Sequence, residues 1–224
     1  MIPYKKLKQI RLFSGMKEQE IEAVLNCLSV QIKDYEKGCT IFHSGDPISE
    51  VGVVLKGSVH IIKEDYWGNR DLIAWVEEND VFGETYACIP SAVIPIDVIA
   101  AEKVEVLFLK VKKVITTCSA SCKFHNQLIQ NMLIVLAEKN LQITNKVDIV
   151  TKRTTRSKLM TYLSKLAGQM QNSTFIVPLN RQQLADYLGV DRSAMTVELH
   201  KLQKEGLIRF KKNQFELLMH ETKK

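Results

Sequence analysis

Between Asn180 and Leu202 the chain reads NRQQLADYLGVDRSAMTVELHKL, a stretch whose polar residues are of the types that recognise a polyanion and the bases it carries. Leu184, Ala185 and Leu188 recur at helical spacing and predict a first helix, which Gly189 ends and Val190 plugs at the corner. Asp191 is placed to cap a second helix. The inner face of that helix is predicted to be Ala194, Met195, Leu199 and Leu202. Arg192, Ser193, Thr196, Val197 and Lys201 then point outward near its start. This is helix-turn-helix spacing, in which the second helix enters a major groove N-terminus first. Arg192 can donate two hydrogen bonds to a guanine, and Val197 can touch a thymine methyl. Asn180, Arg181 and Lys201 are candidates to hold phosphates, and Gln182 and Asp191 complete the candidate DNA-binding set. Downstream, LIRFKKNQFELL predicts two short strands turning at Lys212-Asn213, a wing carrying Arg209, Lys211 and Lys212, of which Lys211 is added to the candidate DNA-binding residues.

Two other stretches hold reactive side chains. In TTCSASCKFHN, Cys118, Cys122 and His125 are four and three residues apart. On one continuous helix they would share a face, and soft thiolates with an imidazole suit zinc, iron or copper. Ser119 and Ser121 argue for a break instead, with Ser121 capping the helix that follows. Cysteine is also among the residues most often buried. The core reading is therefore favoured and no metal site is assigned. FGETYACIPSAVIPI (82–96) is mostly apolar, with Tyr86 and Cys88 as its polar or polarisable points. Cys88 lies near Glu84 and Tyr86 but has no base to activate it. GxGxxG, P-loop, GxSxG and HExxH patterns are all absent, so an enzyme is not expected.

The remaining texture says how these stretches are positioned. LFSGMKEQEIEAVLNCL predicts an early helix with Ser14 as its cap and Ile21, Val24, Leu25 and Leu28 inward. From about 31 to 110 short β-rich runs alternate with turns at GDP (45–47) and WGN (67–69), the pattern of a small barrel or roll. FHNQLIQNMLIVLAEKNLQITNKV then runs helical without a break. Leu128, Met132, Val135, Leu136 and Ile143 lie on one broad stripe. A stripe of that length packs on its own roll or on the same helix of a second subunit. TKRTTR (151–156) is polar and basic and is taken as a hinge. The 224 residues are 46% hydrophobic and 25% charged, a soluble globular profile. The five cysteines do not form a disulfide framework, and no leader or spanning segment is read, so a cytoplasmic location is expected. Residues 151–224 hold 14 Lys and Arg against 6 Asp and Glu, while residues 1–150 hold 17 against 19. A basic C-terminal third on a near-neutral body is the footprint of a polyanion partner.

KGCTIFHSGDP, GSVHIIKEDYWGNRDLIAWVEENDVFGE and RQQLADYLGVDRSAMTVELHKLQKEGLI, in that order, make nearly the whole chain resemble the Crp–Fnr family of transcription regulators. The resemblance implies an α+β fold: an N-terminal double-stranded β-helix (a cupin-like β-roll), a long dimerisation helix and a C-terminal winged helix-turn-helix. The corresponding division is 1–118 for effector sensing, 119–150 for the dimerisation helix and 151–224 for DNA binding. It further implies a homodimer through 121–148 on a two-fold symmetric DNA site, allosteric control, and RNA polymerase as a partner. The candidate effector-binding residues are Phe82, Gly83, Glu84, Thr85, Tyr86, Cys88, Ile94, Pro95 and Leu141.

The chain departs from the family pattern in three places. The cyclic-AMP-binding branch follows its Gly-Glu pair by an Arg-Ser pair about ten residues on. Here Gly83-Glu84 match, but Ile94-Pro95 stand in place of Arg-Ser. No basic residue lies between Arg70 and Lys103, and a buried phosphate without a cation is prohibitively costly. Cyclic AMP is therefore not expected; an uncharged or weakly polar small molecule is, with Glu84 as a structural carboxylate. Residues 1–26 lack the cysteines with which the oxygen-sensing branch holds an iron–sulfur cluster. In the reader, Arg192-Ser193 and Val197 stand where the cyclic-AMP branch has Arg-Glu and a second arginine, so the target sequence differs. Two other readings stay open: redox or metal sensing through Cys118, Cys122 and His125, and a protein-contact regulatory module without an effector.

Overall fold

The computed structural model describes residues 4–115 and 123–218. The chain begins with α1 (Tyr4–Leu7), a 3-10 turn (Arg11–Phe13) and α2 (Glu18–Leu28). Ile21, Val24, Leu25 and Leu28 are buried as their spacing predicts. Ser14 is not the cap of α2. Leu12, Phe13 and Met16 are pulled into the core, which delays the helix to Glu18, where the Glu20 carboxylate accepts the Lys17 backbone N–H at 2.7 Å.

Eight strands follow: β1 (Gln31–Tyr35), β2 (Thr40–Phe42), β3 (Glu50–Lys56), β4 (Val59–Glu64), β5 (Arg70–Val76), β6 (Val81–Phe82), β7 (Asp97–Ala100) and β8 (Val104–Lys110), with a helical turn α3 (Glu84–Ala87) between β6 and β7. They form two antiparallel sheets of order β1-β8-β3-β6 and β2-β7-β4-β5, the expected roll. The runs VGVVLK and VEVLFLK read as nearly continuous apolar segments because β3 and β8 are covered on both faces. Val54, Val104, Val106 and Phe108 face the inside of the roll with Val59, Val76, Phe82, Ile94, Val98 and Ala100. Val51, Val53, Leu55, Leu107 and Leu109 pack the other way, with the helical residues Leu7, Ile21, Leu25 and Leu128. Phe42 meets Phe82 and Phe108 at ring separations of 5.6 and 5.9 Å. Phe82 lies against Gly52, where a Cβ would come within 2.2–2.6 Å of three carbons of its ring. Gly52→Ala is expected to cost about 1–3 kcal/mol of stability through overpacking, read from the midpoint of urea unfolding.

After α4 (Val111–Ile115), α5 (Lys123–Val150) is a single helix of 28 residues. Two compact units are formed, Met1–Glu138 and Lys139–Lys224. In the first, Leu128, Met132 and Val135 of α5 are buried in the core. The buried Asn131 donates its side-chain amide to the carbonyls of Leu12 (3.0 Å) and Ser14 (2.9 Å), tying the N-terminal turn to the helix. Leu133, Ile134, Leu141, Ile143 and Val147 are exposed. The helix thus carries a second apolar face at Leu133, Ile134 and Leu141, while Ile143 stays on the predicted stripe with Leu128, Met132 and Val135 but is exposed.

The second unit adds α6 (Thr155–Met170), β9 (Thr174–Ile176), α7 (Arg181–Leu188), α8 (Arg192–Lys204) and the hairpin β10 (Ile208–Lys211) and β11 (Gln214–Leu217), in a sheet of order β10-β11-β9. The break before α6 is shorter than TKRTTR: Thr154 caps α6 by accepting the Ser157 N–H, so Thr155 and Arg156 are already helical. The end of α5 is fastened to this unit. Ile149 is in its core, and Asp148 pairs with Lys152 at 2.8 Å and Lys165 at 2.6 Å. Hydrogen bonds from these ammonium groups hold the Asp148 carboxyl down from 3.8 to about 2. A depressed acid stabilises the fold above its unfolded pKa and loses that contribution as pH falls through the folded value. Asp148→Asn should therefore flatten the drop in melting temperature between about pH 4 and pH 2 at low ionic strength, where exposed ion pairs are least screened.

Candidate nucleic-acid interface

The pair α7 and α8 is built by local chemistry at each joint. Asn180 caps α7 by accepting the Gln183 N–H at 2.9 Å, and Gly189 closes it in the left-handed region at φ 60°. Asp191 caps α8 by accepting the Ala194 N–H at 2.9 Å. Leu184, Ala185, Leu188, Met195, Leu199 and Leu202 are buried in the unit's core, with Val190 packed against them at the corner. Ala194 is exposed rather than inward. Once α8 starts at Arg192, the inward stripe falls on 195, 199 and 202, and position 194 turns out of it.

The outward face of α8 carries the residues expected there. Arg192, Ser193, Val197 and Lys201 are exposed, and Val197 keeps 55% of its surface. The Ser193 hydroxyl is engaged by Asp191, whose carboxyl it helps to hold below the ordinary value together with the Ala194 N–H. The Thr196 hydroxyl donates to the Arg192 carbonyl at 2.8 Å, a back-bond within the helix. Val197 and Lys201 line a shallow groove with His200, Gln203 and Lys204. Those three were not singled out from sequence, although they follow 196 and 197 at three- and four-residue steps.

Asn180, Arg181, Gln182 and Arg192 converge on one concavity of about 550 Å³, with Lys212 and Asn213 of the hairpin turn opposite. The two helix starts and the wing therefore make one cationic, amide-lined surface. Lys211, the wing residue chosen from sequence, is on a different surface beside Thr174, Arg209 and Glu216. Lys212 adopts a left-handed backbone, φ 52°, and it is Lys212 that the turn brings beside Arg192. Arg181 is half-buried. Its guanidinium stands over Phe210 and Phe215, 5.0 and 5.1 Å from the ring centres, and donates to the Lys212 carbonyl at 2.8 Å. Burial pulls its pKa below the ordinary value.

In the roll, the candidate effector residues do not form one exposed set. Phe82 and Ile94 are wholly buried in the apolar interior, and Glu84 is buried at the start of α3. Ile94 is held by the backbone, its N–H on the Asp46 carbonyl and its carbonyl accepting the Gly45 N–H. Gly83 adopts φ 78° against the Phe42 ring and Ile48, a geometry that favours glycine. Tyr86 and Cys88 are half-buried, while Thr85 and Pro95 are exposed. Leu141 is exposed and belongs to the second unit. Burial and the nearby Glu84 push the Cys88 thiol up, which makes it a poorer nucleophile.

Cys118 and Cys122 lie outside the described residues. His125 is buried, with one ring nitrogen 2.9 Å from the Lys113 carbonyl. Its Nδ1 has no hydrogen-bond partner among the described residues. None of the described residues forms a His, Cys, Asp or Glu cluster able to hold a metal, and no helix among them is long and apolar enough to cross a membrane.

Comparison with known proteins agrees with this layout. Residues 32–121 match the cyclic nucleotide-binding domain family, and residues 157–221 match the Crp-like helix-turn-helix domain family. The chain is 23% identical over 203 residues to the cyclic AMP receptor protein of Thermus thermophilus, covering 91% of this chain and 90% of that one. It is 24% identical over 194 residues to the global nitrogen regulator of Synechococcus elongatus, covering 81% and 82%. Among solved structures it shares its fold with the catabolite activator protein of Thermus thermophilus, with a TM-score of 0.54 at 22% identity over 93% of each chain. It also shares it with the c-di-GMP responsive global regulator CLP of Xanthomonas campestris, with a TM-score of 0.56 at 19% identity over 91% of this chain and 100% of that one.

Proposed function

The chain belongs to the Crp–Fnr family of DNA-binding transcription regulators, and from that premise we propose that it works as an allosteric homodimer on a two-fold symmetric site. The observation that carries the DNA contact is the convergence of Asn180, Gln182, Arg192 and Lys212 on one concavity beside the exposed face of α8. Arg192 reads a guanine edge, Val197 meets a thymine methyl, and Lys201 with the wing holds the backbone. The second apolar face of α5, with Leu133, Ile134, Leu141 and Val147 exposed, supports pairing with the same helix of a second copy through 121–148. RNA polymerase is the partner through which the bound dimer alters transcription. In functional terms, 1–118 sense, 119–150 dimerise and 151–224 read DNA.

The effector we propose is a small uncharged or weakly polar molecule rather than cyclic AMP. Ile94 has no exposed surface, and the stretch from Asp71 to Glu102 contains no Lys, Arg or His. A cyclic phosphate held there would lack a counter-charge. Candidate contacts are Thr85, Tyr86, Cys88 and Pro95 around Gly83 and Glu84. Selection from a random duplex pool with the purified protein, with and without reductant, tests the reading. Enrichment of a two-fold symmetric site is expected, with a steep loss of affinity as salt rises, because phosphate contacts release counterions. Enrichment that depends on reductant would move the sensing role to the cysteines. Salt-independent binding with no enrichment in either arm would replace the DNA reading by a protein-contact module.

A further inference from the structure

Arg181 is in an unusual position for a DNA-contacting cation. It is the first residue of α7, the end of a helix where a positive charge is unfavourable. It is half-buried, and burial lowers its pKa. Its partners are uncharged: the faces of Phe210 and Phe215 and the Lys212 carbonyl at 2.8 Å. Phe210 and Phe215 are themselves stacked, 5.4 Å apart and 20° from parallel, and belong to the two strands of the wing. Behind them Phe215 stacks on Phe175, and the Asn213 carbonyl accepts the Val177 N–H at 2.8 Å. A planar guanidinium matches these demands, since it spreads over ring faces and donates in its own plane at once.

We infer that Arg181 is a positioning residue, which pins the β10–β11 turn to the start of α7, and that Lys212, held in place by this clamp, carries the phosphate contact expected of Arg181. Lys212, with its left-handed backbone, offers its carbonyl to Arg181 and lines the concavity shared with Arg192. The inference rests on the DNA-reader assignment. It deepens that assignment by separating a residue that meets the polyanion from one that aims it.

The test uses the full-length protein in two arms. In the first, without DNA, amide hydrogen exchange is followed at Val177 and in the β10–β11 turn. Arg181→Ala and Arg181→Lys should both speed exchange there by about tenfold, the scale of a lost cation–π and hydrogen-bond clamp, with α8 unchanged. Retained protection in Arg181→Ala would overturn the clamp whatever the protein binds. In the second arm, affinity for the selected duplex is measured against salt. Lys212→Ala should weaken binding by about tenfold and reduce the salt slope by about two, one contact from each subunit. Arg181→Lys, which keeps the charge, should not restore binding, and the double variant Arg181→Ala/Lys212→Ala should be no worse than Lys212→Ala alone. Near-normal binding by Arg181→Lys, or losses that multiply in the double variant, would make Arg181 a direct phosphate contact and overturn the inference. If wild type binds no DNA while the first arm succeeds, the reader assignment fails and the clamp stands as a structural fact.

Discussion

Arg192→Ala should lower affinity for the selected site by about a hundredfold or more, while binding to unrelated duplex changes far less. Arg192 is the first residue of α8, is exposed, and pairs with no carboxylate among the described residues. Its neighbour Asp191 is committed to the helix cap. The guanidinium is therefore available for a guanine edge, and a bidentate pair of this kind is worth about 1–3 kcal/mol of discrimination. A two-fold dimer makes the contact twice, which sets the size of the loss. Non-specific affinity rests on many phosphate contacts, of which Arg192 is at most one. Competition anisotropy with the selected site and a scrambled duplex measures both constants. Equal losses on the two duplexes would reduce Arg192 to a backbone contact, and an unchanged specific constant would remove it from the reader. The substitution touches no buried contact, so the thermal melt should be that of wild type.

The second large effect is expected at the exposed face of α5. Ile134→Glu combined with Leu141→Glu should yield a folded monomer at micromolar concentration that has lost at least about a hundredfold in affinity for the two-fold site. Ile134 and Leu141 keep 54% and 63% of their surface and are seven residues apart, one heptad, on the same side of the helix. Burying an aliphatic side chain of this size is worth about 1.5–3 kcal/mol, and a symmetric helix pair buries four of them. Glutamates at these positions replace that gain by desolvation and by like charges facing across the two-fold axis. The monomer meets only half of the site and loses the effective-concentration advantage of two linked readers. Sedimentation velocity reports the assembly state. A variant that still sediments as a dimer would place the interface elsewhere, and a wild type that sediments as a monomer would leave this apolar face without the partner assigned to it.

The reader was legible in the sequence because its determinants are local. Gly189, Asp191 and the spacing of Leu184, Leu188, Met195, Leu199 and Leu202 act within one or two turns, and cap and turn chemistry is carried by the residues themselves. The roll was legible as alternating runs and turns, and residues 32–121 match a known domain family. What could not be read depended on distant partners. The partners of Arg181 could not be read because its two rings and its carbonyl lie about thirty residues on. Which of Lys211 and Lys212 shares the concavity with Arg192 could not be read, because the direction of a hairpin turn hangs on one positive φ. Ile94 was placed in the effector set by its position after Gly83-Glu84, whereas the interior of the roll buries it completely. Ser14 lost the cap of α2 to the burial of Met16 and to Glu20. At each of these positions packing, not local preference, decided the placement.

The ring of Phe82 over Gly52 has a consequence for how this regulator can diversify. A side chain at position 52 overpacks while a phenylalanine occupies 82, and a smaller residue at 82 leaves a void over 52. The two positions are thus coupled: the penalty for a change at either one depends on the residue at the other. Position 82 immediately precedes Gly83-Glu84, the turn through which an effector is expected to act. Lineages that retune that turn must therefore cross a fitness valley at β3, which favours retaining the backbone of the sensor and altering ligand preference at its rim, at positions such as Thr85, Tyr86 and Pro95.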